Sequence, residues 1–204
     1  FFKQKTAYES SLGLVGSEMC IRDRIGELVY LRPLEIQDIG KGWLDWVNNP
    51  DTSSELTSIQ ESKKLTEKDL ENYLENSQMP KAKMFAICVK EDDTYIGNAR
   101  ISSIDYNHSK CSYGRFIGNV KYRGKGFGSE VLKLILFHCF LRLNLNRVST
   151  VVFTDNIPSI KSNEKAGMIN EGVLRQSIHH KGEFRDVISF AMTRKDFDHI
   201  YPSS

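Results

Sequence analysis

Hydrophobic positions along the chain change period several times, and each change marks an element. From Gly26 to Leu34 (G-E-L-V-Y-L-R-P-L) they alternate in a β-rich run, which predicts a first strand. Over 35–49, Ile36, Ile39, Trp43 and Trp46 recur at helical spacing until Pro50, which predicts a helix stopped there. Residues 51–64 are polar and read as a loop. Thr66 is placed to cap a second helix through Leu70, Tyr73 and Leu74 to about Ser77. Residues 83–90 (K-M-F-A-I-C-V-K) and 94–104 predict two strands around the turn Glu91-Asp92-Asp93. A turn at Tyr106-Asn107-His108-Ser109 precedes a fourth strand, Ser112 to Gly118 (S-Y-G-R-F-I-G). Val131 to Leu143 is apolar nearly all round, as in a helix buried on most sides. A fifth strand follows at Arg147–Phe153. A short helix then starts near Pro158 and closes at Gly167, and a hairpin spans Val173–His180 and Phe184–Thr193. This order predicts one mixed α/β domain. Its strand–helix–strand unit over 112–153 requires a parallel or nearly parallel pair.

Between the fourth strand and the apolar helix lies Tyr122 to Ser129, Y-R-G-K-G-F-G-S. Three glycines in five residues let the main chain curl with its N–H groups facing inward. A buried helix starting there adds its own unpaired amides and the positive end of its dipole. The combination suits an anion, and the stretch reads as a diphosphate cradle. The plainer reading is a glycine-rich turn before a core helix. Neither G-x-x-x-x-G-K-[ST] nor the dinucleotide G-x-G-x-x-G pattern fits these residues.

Composition narrows the classes without changing the fold. The chain has 204 residues, a hydrophobic share of 40% and a net charge of +2. That balance gives no nucleic-acid footprint, and Lys133, His138 and Arg142 interrupt the longest apolar stretch, so no membrane span is expected. Residues 1–24 have no coherent period. Lys3–Glu9 and Leu14–Arg24 resemble translated sequencing-library adapter, so the segment is expected to be non-native and the true start lost. The domain is then expected over 25–197, with a tail at 198–204. Cys88, Cys111 and Cys139 show no metal or redox spacing, which predicts buried free thiols in a cytoplasmic protein. No metal site is expected.

Over roughly Ile25 to Phe197 the sequence resembles the GNAT N-acetyltransferases. Arg123, Gly126 and Gly128 fill the fixed places of that family's [Q/R]-x-x-G-x-[G/A] loop. Several phrases resemble its ribosomal-protein (RimJ/RimL-type) branch: L-R-P-L, W-V-N-N-P-D, Y-R-G-K-G-F-G-S-E, N-I-P-S-I-K-S-N-E-K-A-G-M and E-G-V-L-R. The resemblance implies a central mixed, splayed sheet flanked by helices. It also implies acetyl transfer from acetyl-CoA to a primary amine in a ternary complex. By that analogy the main chain of Phe116, Ile117 and Gly118 pairs with the pantetheine arm. Arg123, Gly124, Lys125, Gly126, Phe127, Gly128 and Ser129 hold the diphosphate, and Asn156, Ser159 and Asn163 meet the cofactor from the last helix.

The chain departs from the family at two places. Members often carry a Tyr on that helix to protonate the leaving thiolate, where this chain has Asn163 with Ser162 beside it. They also often place a Glu on the fourth strand as base, where this chain has Ser112. Asp105 is the candidate base, with His108 near it, against the plainer reading of a turn-capping Asp and an exposed His. The acceptor is expected to be a weakly basic amine such as an amino-sugar nucleotide. The alternatives are a protein N-terminal alanine or serine, polyamines, and a non-catalytic acyl-CoA-binding module. The molecule is expected to be a monomer or homodimer.

Overall fold

The computed structural model describes residues 25–54, 56, 64–77 and 80–202. The adapter-like segment and most of the loop expected over 51–64 lie outside them. Seven strands form one sheet: β1 (Val29–Pro33), β2 (Lys83–Val89), β3 (Tyr95–Asp105), β4 (Lys110–Ile117), β5 (Arg147–Phe153), β6 (Ile169–His180) and β7 (Glu183–Thr193). Their order is β1-β2-β3-β4-β5-β7-β6. Every neighbouring pair is antiparallel except β4 and β5, as the strand–helix–strand unit requires.

That parallel pair sets the architecture. Lys110, Cys111 and Ser112 are in register with Arg147, Val148 and Ser149, and there the pairing stops. Beyond it β4 stays paired with β3 as far as Ile117, and β5 with β7 as far as Phe153. The sheet therefore parts in its middle into a wedge whose apex lies at Ser112 and Ser149.

Each face of the sheet carries its own apolar cluster. On one face α1 (Trp43–Asn48) and α3 (Glu67–Glu75) bring Trp43, Val47, Leu70 and Leu74 onto Met84, Ala86 and Cys88. On the other, Val131, Leu132, Ile135 and Leu136 of α4 (Phe127–Phe137) pack on Phe85, Ile87, Ile101 and Tyr113. Phe197 of α6 (Arg194–Ile200) and Ile160 of α5 (Ile157–Lys165) extend this second cluster. β2 is buried on both faces, which explains its unbroken apolar run.

Four elements differ from the sequence pattern. The helix expected over 35–49 is divided into a 3-10 turn (Ile36–Lys41) and α1, because Gly42 between them has φ +118°. α1 ends at Asn48, just before Pro50 as expected, and Pro50 also opens a further short helix, α2 (Pro50–Ser53); the Asn49 Oδ1 caps it by accepting from the Asp51 N–H. The apolar helix starts four residues earlier than Val131, at Phe127, and ends in a wider π turn over His138–Arg142. Sequence periodicity gave no sign of α6, which Thr193 and Asp196 start with reciprocal capping bonds. Cys88, Cys111 and Cys139 are buried free thiols, as expected.

Candidate active site

The chain leaves β4 at the wide end of the wedge, makes a 3-10 turn over Val120–Tyr122 and passes through the glycine loop into α4. Gly124 has φ +71° and Gly126 +90°, values that L side chains rarely adopt, so the curl depends on glycine at both. Ser129 and Glu130 donate their N–H groups to the Gly126 carbonyl at 3.0 and 3.1 Å, closing the first turn of α4. The five N–H groups before them, Gly124 to Gly128, donate to no main-chain carbonyl among the described residues. They form a set of available donors at a helix start, which is the composition of an anion site. Lys125 stands exposed at its rim, and Phe127 packs edge-on against Tyr122 beneath it.

Arg123 is turned away from this set. It donates from Nε to the Ile117 carbonyl at 2.8 Å and from Nη2 to the Thr52 carbonyl at 2.9 Å, joining α2 to the end of β4. A second cation beside the helix start is Arg115, which sequence reasoning passed over. Its Nε lies 3.6 Å from where a Cβ on Gly128 would stand. Its Nη1 donates to the Tyr113 hydroxyl at 2.9 Å and to the Asn163 Oδ1 at 3.3 Å.

Register decides which main-chain groups face the wedge. The Gly118 N–H donates to the Ile96 carbonyl at 2.9 Å, so Gly118 belongs to a hydrogen-bonded pair with β3. Alternation along an antiparallel ladder then gives Phe116 the same orientation and turns Tyr113, Arg115 and Ile117 the other way. Of Phe116, Ile117 and Gly118, Ile117 alone presents its N–H to the wedge. Gly118 serves a different purpose: a Cβ there would fall 2.1 Å from the Trp46 ring, which lies against the strand exit. Trp46 also meets Tyr95 and Phe116, making an aromatic wall on the α1 face.

Near the apex β4 and α5 meet through two side chains. The Tyr113 hydroxyl donates to the Asn163 Oδ1 at 2.5 Å, and both residues are buried. Burial pushes the Tyr113 phenol above its ordinary pKa, with Arg115 working in the opposite direction, so it remains a proton donor at neutral pH. The Asn163 Nδ2 is buried without a hydrogen-bond partner, an unmet donor beside the wedge. Ser162 and Ser129 face each other at 2.9 Å between their hydroxyl oxygens. Asn156 caps α5 by accepting from the Ser159 N–H at 3.1 Å. Ser112 lies on the last paired rung, 3.4 Å from the Ser149 hydroxyl oxygen.

Asp105 sits at the closed end of the wedge, opposite Lys110. It accepts from the His108 N–H at 3.0 Å and faces the His108 ring at 2.8 Å. The backbone bond and then the ring hold its carboxyl below the ordinary value, which weakens it as a base. His179 packs edge-on against Phe184 near the hairpin tip, and among the described residues no cluster of His, Cys, Asp or Glu could hold a metal. No helix of the described residues is long and apolar enough to cross a membrane.

The period-2 placement of Tyr113 and Arg115 beside Cys111 and Ile117 was the available signal for both missed residues. It puts all four on the α4 face. The unbonded loop amides, the parted strand edges and the unmet Asn163 donor fit acetyl-CoA, whose diphosphate and extended amide arm need such partners.

Comparison with known proteins is consistent with this geometry. Residues 29–169 match the sequence profile of the acetyltransferase (GNAT) domain. YokL, a prophage-derived uncharacterized N-acetyltransferase of Bacillus subtilis, is 36% identical over 122 residues, covering 59% of this chain and 68% of that protein. The uncharacterized N-acetyltransferase p20 of Bacillus licheniformis is 34% identical over 116 residues, covering 57% and 65%. Both alignments thus span about two thirds of the relative. Among solved structures, spermidine N-acetyltransferase from Vibrio cholerae in complex with CoA and spermine superposes with a TM-score of 0.75 at 21% identity, covering 84% of this chain and 99% of that one.

Proposed function

The chain belongs to the GNAT acetyltransferase family and is an N-acetyltransferase that uses acetyl-CoA; from that premise we propose that it acetylates a small, weakly basic primary amine, such as an amino sugar. The observation that carries this reading is the parted β4/β5 pair with unbonded amides at its wide end. When bound, acetyl-CoA supplies an activated acyl thioester. In this reading the Gly124–Gly128 amides and Arg115 hold the diphosphate, and Ile117 and Arg115 offer main-chain groups to the amide arm. Tyr113 fixes the Asn163 side chain so that its free N–H points at one place, and Trp46 walls the acceptor side.

The choice of amine follows from which groups are present. Ser112 occupies the apex where a carboxylate base would serve, and Asp105 is tied to His108. An amine of pKa about 10 is roughly 0.1% neutral at pH 7, a deficit of about 4 kcal/mol that a strong base would have to offset. A less basic amine needs only a fraction of that, and water at Ser112 and Ser149 suffices to take its proton. A protein N-terminus, the acceptor implied by the ribosomal-type phrases, has a pKa of about 8 and meets the same limit.

Thiol release from acetyl-CoA against a panel of amines tests the reading. Best turnover is expected with weakly basic amines, rising with pH through the amine's own pKa. A lysine-like amine as best acceptor, with kcat/KM flat from about pH 6 to 8, would overturn the choice of amine. Retained CoA with no amine-dependent thiol would make the protein an acyl-CoA binder.

A further inference from the structure

Arg100 lies on β3 directly opposite Gly114 of β4, so its side chain stands on the α1/α3 face one strand, about 5 Å, from the open edge of the wedge. Its Nη1 donates to the Tyr73 hydroxyl at 2.9 Å, and the guanidinium lies 4.9 Å from that ring's centroid. Its Nε is buried with no hydrogen-bond partner. No carboxylate pairs with it among the described residues. A guanidinium has five N–H donors and is charged at every physiological pH, so a half-buried one with a single hydrogen bond is under-satisfied.

The space around it is open. Arg100, Lys81 and Ser102 line a depression of about 720 Å³ with Asn107 and Asp105. Among the described lining residues Asp105 is the single acid, and its oxygens are on His108, so the net character is cationic. Ser102 stands opposite Ser112, which leads from the depression to the wedge apex. A Cβ on Gly114 would meet nothing within 4 Å, so the floor between Arg100 and the wedge is bare.

We propose that this depression is an acceptor subsite for an anionic group, a phosphate or carboxylate carried on the amine, received by the Nη hydrogens that Arg100 does not give to Tyr73, with Lys81 beside them. The inference rests on the acetyltransferase reading and sharpens it: the substrate is a zwitterionic or anionic amine, and a polycation is disfavoured because it would face Arg100 and Lys81 without a partner. The Tyr73 bond then holds the guanidinium plane with its remaining donors free for a planar or tetrahedral oxyanion.

The deciding measurement is calorimetric titration of inorganic phosphate into the full chain saturated with CoA, which fills the glycine loop first. Wild type is expected to bind phosphate and Arg100→Gln to bind it at least about tenfold more weakly, with Arg100→Lys between them. Melting curves establish that the variants are folded, and the Lys variant serves if Gln unfolds the chain. Equal binding by wild type and variants, or no binding by wild type, overturns the subsite. Thiol release is then compared for glucosamine against glucosamine 6-phosphate and for ethanolamine against phosphoethanolamine. The phosphorylated member of each pair is expected to have the higher kcat/KM by about tenfold, and Arg100→Gln to bring the ratio toward one. A ratio near one in wild type also overturns the subsite. Arg100-dependent phosphate binding with no thiol released from any amine keeps the subsite and removes the acetyltransferase reading instead.

Discussion

Tyr113 donates its hydroxyl proton to Asn163 near the apex of the wedge, so a strand of one half of the sheet is bonded to the helix that follows the other half. Tyr113→Phe deletes that bond and leaves the Asn163 Oδ1 with only the 3.3 Å approach of Arg115, beside an Nδ2 that already lacks a partner. The variant is expected to lose about 1–3 kcal/mol of stability in urea unfolding, as for a buried polar pair left half satisfied.

Gly126→Val puts a β-branched residue at φ +90°, which it can meet only by moving the main chain. Gly126 itself belongs to neither apolar cluster, so the fold is expected to survive with about 1–3 kcal/mol of strain. Its affinity for acetyl-CoA should fall by at least about tenfold, measured by calorimetry alongside circular dichroism. Undiminished affinity would dismiss the amide cradle.

Asp38 and Arg32 make a forked ion pair with two 2.7 Å bonds, and the Asp38 side chain is fully buried. Burial works to raise the Asp38 carboxyl, but the Arg32 bonds and the Glu35 N–H outweigh it and hold it below the ordinary value. A carboxyl depressed in the folded state contributes stability above its unfolded pKa of about 3.9 and loses it as pH falls toward the folded value. The wild-type unfolding free energy should therefore drop below about pH 4, more steeply than that of Asp38→Asn. At neutral pH that variant should be about 2–4 kcal/mol less stable, since Arg32 is left without its partner but is partly exposed.

Glu130 accepts from the N–H groups of Glu27, Leu28 and Val29 at 2.6, 2.8 and 2.9 Å, which ties the approach to β1 onto the first turn of α4. A Cβ on Gly26 would collide with this carboxylate at 2.5 Å. Deleting residues 1–24 should leave the melting temperature within about a degree, whereas deletion through Val29 removes all three donors. The longer deletion and Glu130→Ala should each cost about 2 kcal/mol or more. Both should also weaken acetyl-CoA binding, because Leu28 reaches within 3.9 Å of a Gly126 Cβ position.

Much of the sheet was legible because strand signals are local. The alternation over 26–34 and the turns at 91–93 and 106–109 each lie within a few residues of what they determine. The glycine loop was legible for the same reason, since its curl is written in Gly124 and Gly126. What escaped is non-local. Whether Arg123 or Arg115 faces the helix start depends on α2 approaching from seventy residues away, and both arginines flank the same loop. Asn163 reads as a poor acid in isolation; its phenol partner is fifty residues upstream, on a strand whose odd-numbered face packs under α4. Arg100 becomes informative only once Gly114 is known to stand opposite it. The broken helix at Gly42 was missed for a different reason: apolar spacing continues straight through the break.

A sheet joined at its middle by three residues from each strand has two inner rims as well as two outer ones. Those inner rims are rows of peptide groups awaiting a partner, and any extended chain of the right length would suit them. If acetyl-CoA binds in the cleft as proposed, its own amides would cover those rims. Without it they are as adhesive as any naked sheet border, so starvation for the thioester should make this protein self-associate sooner than its melting temperature would suggest.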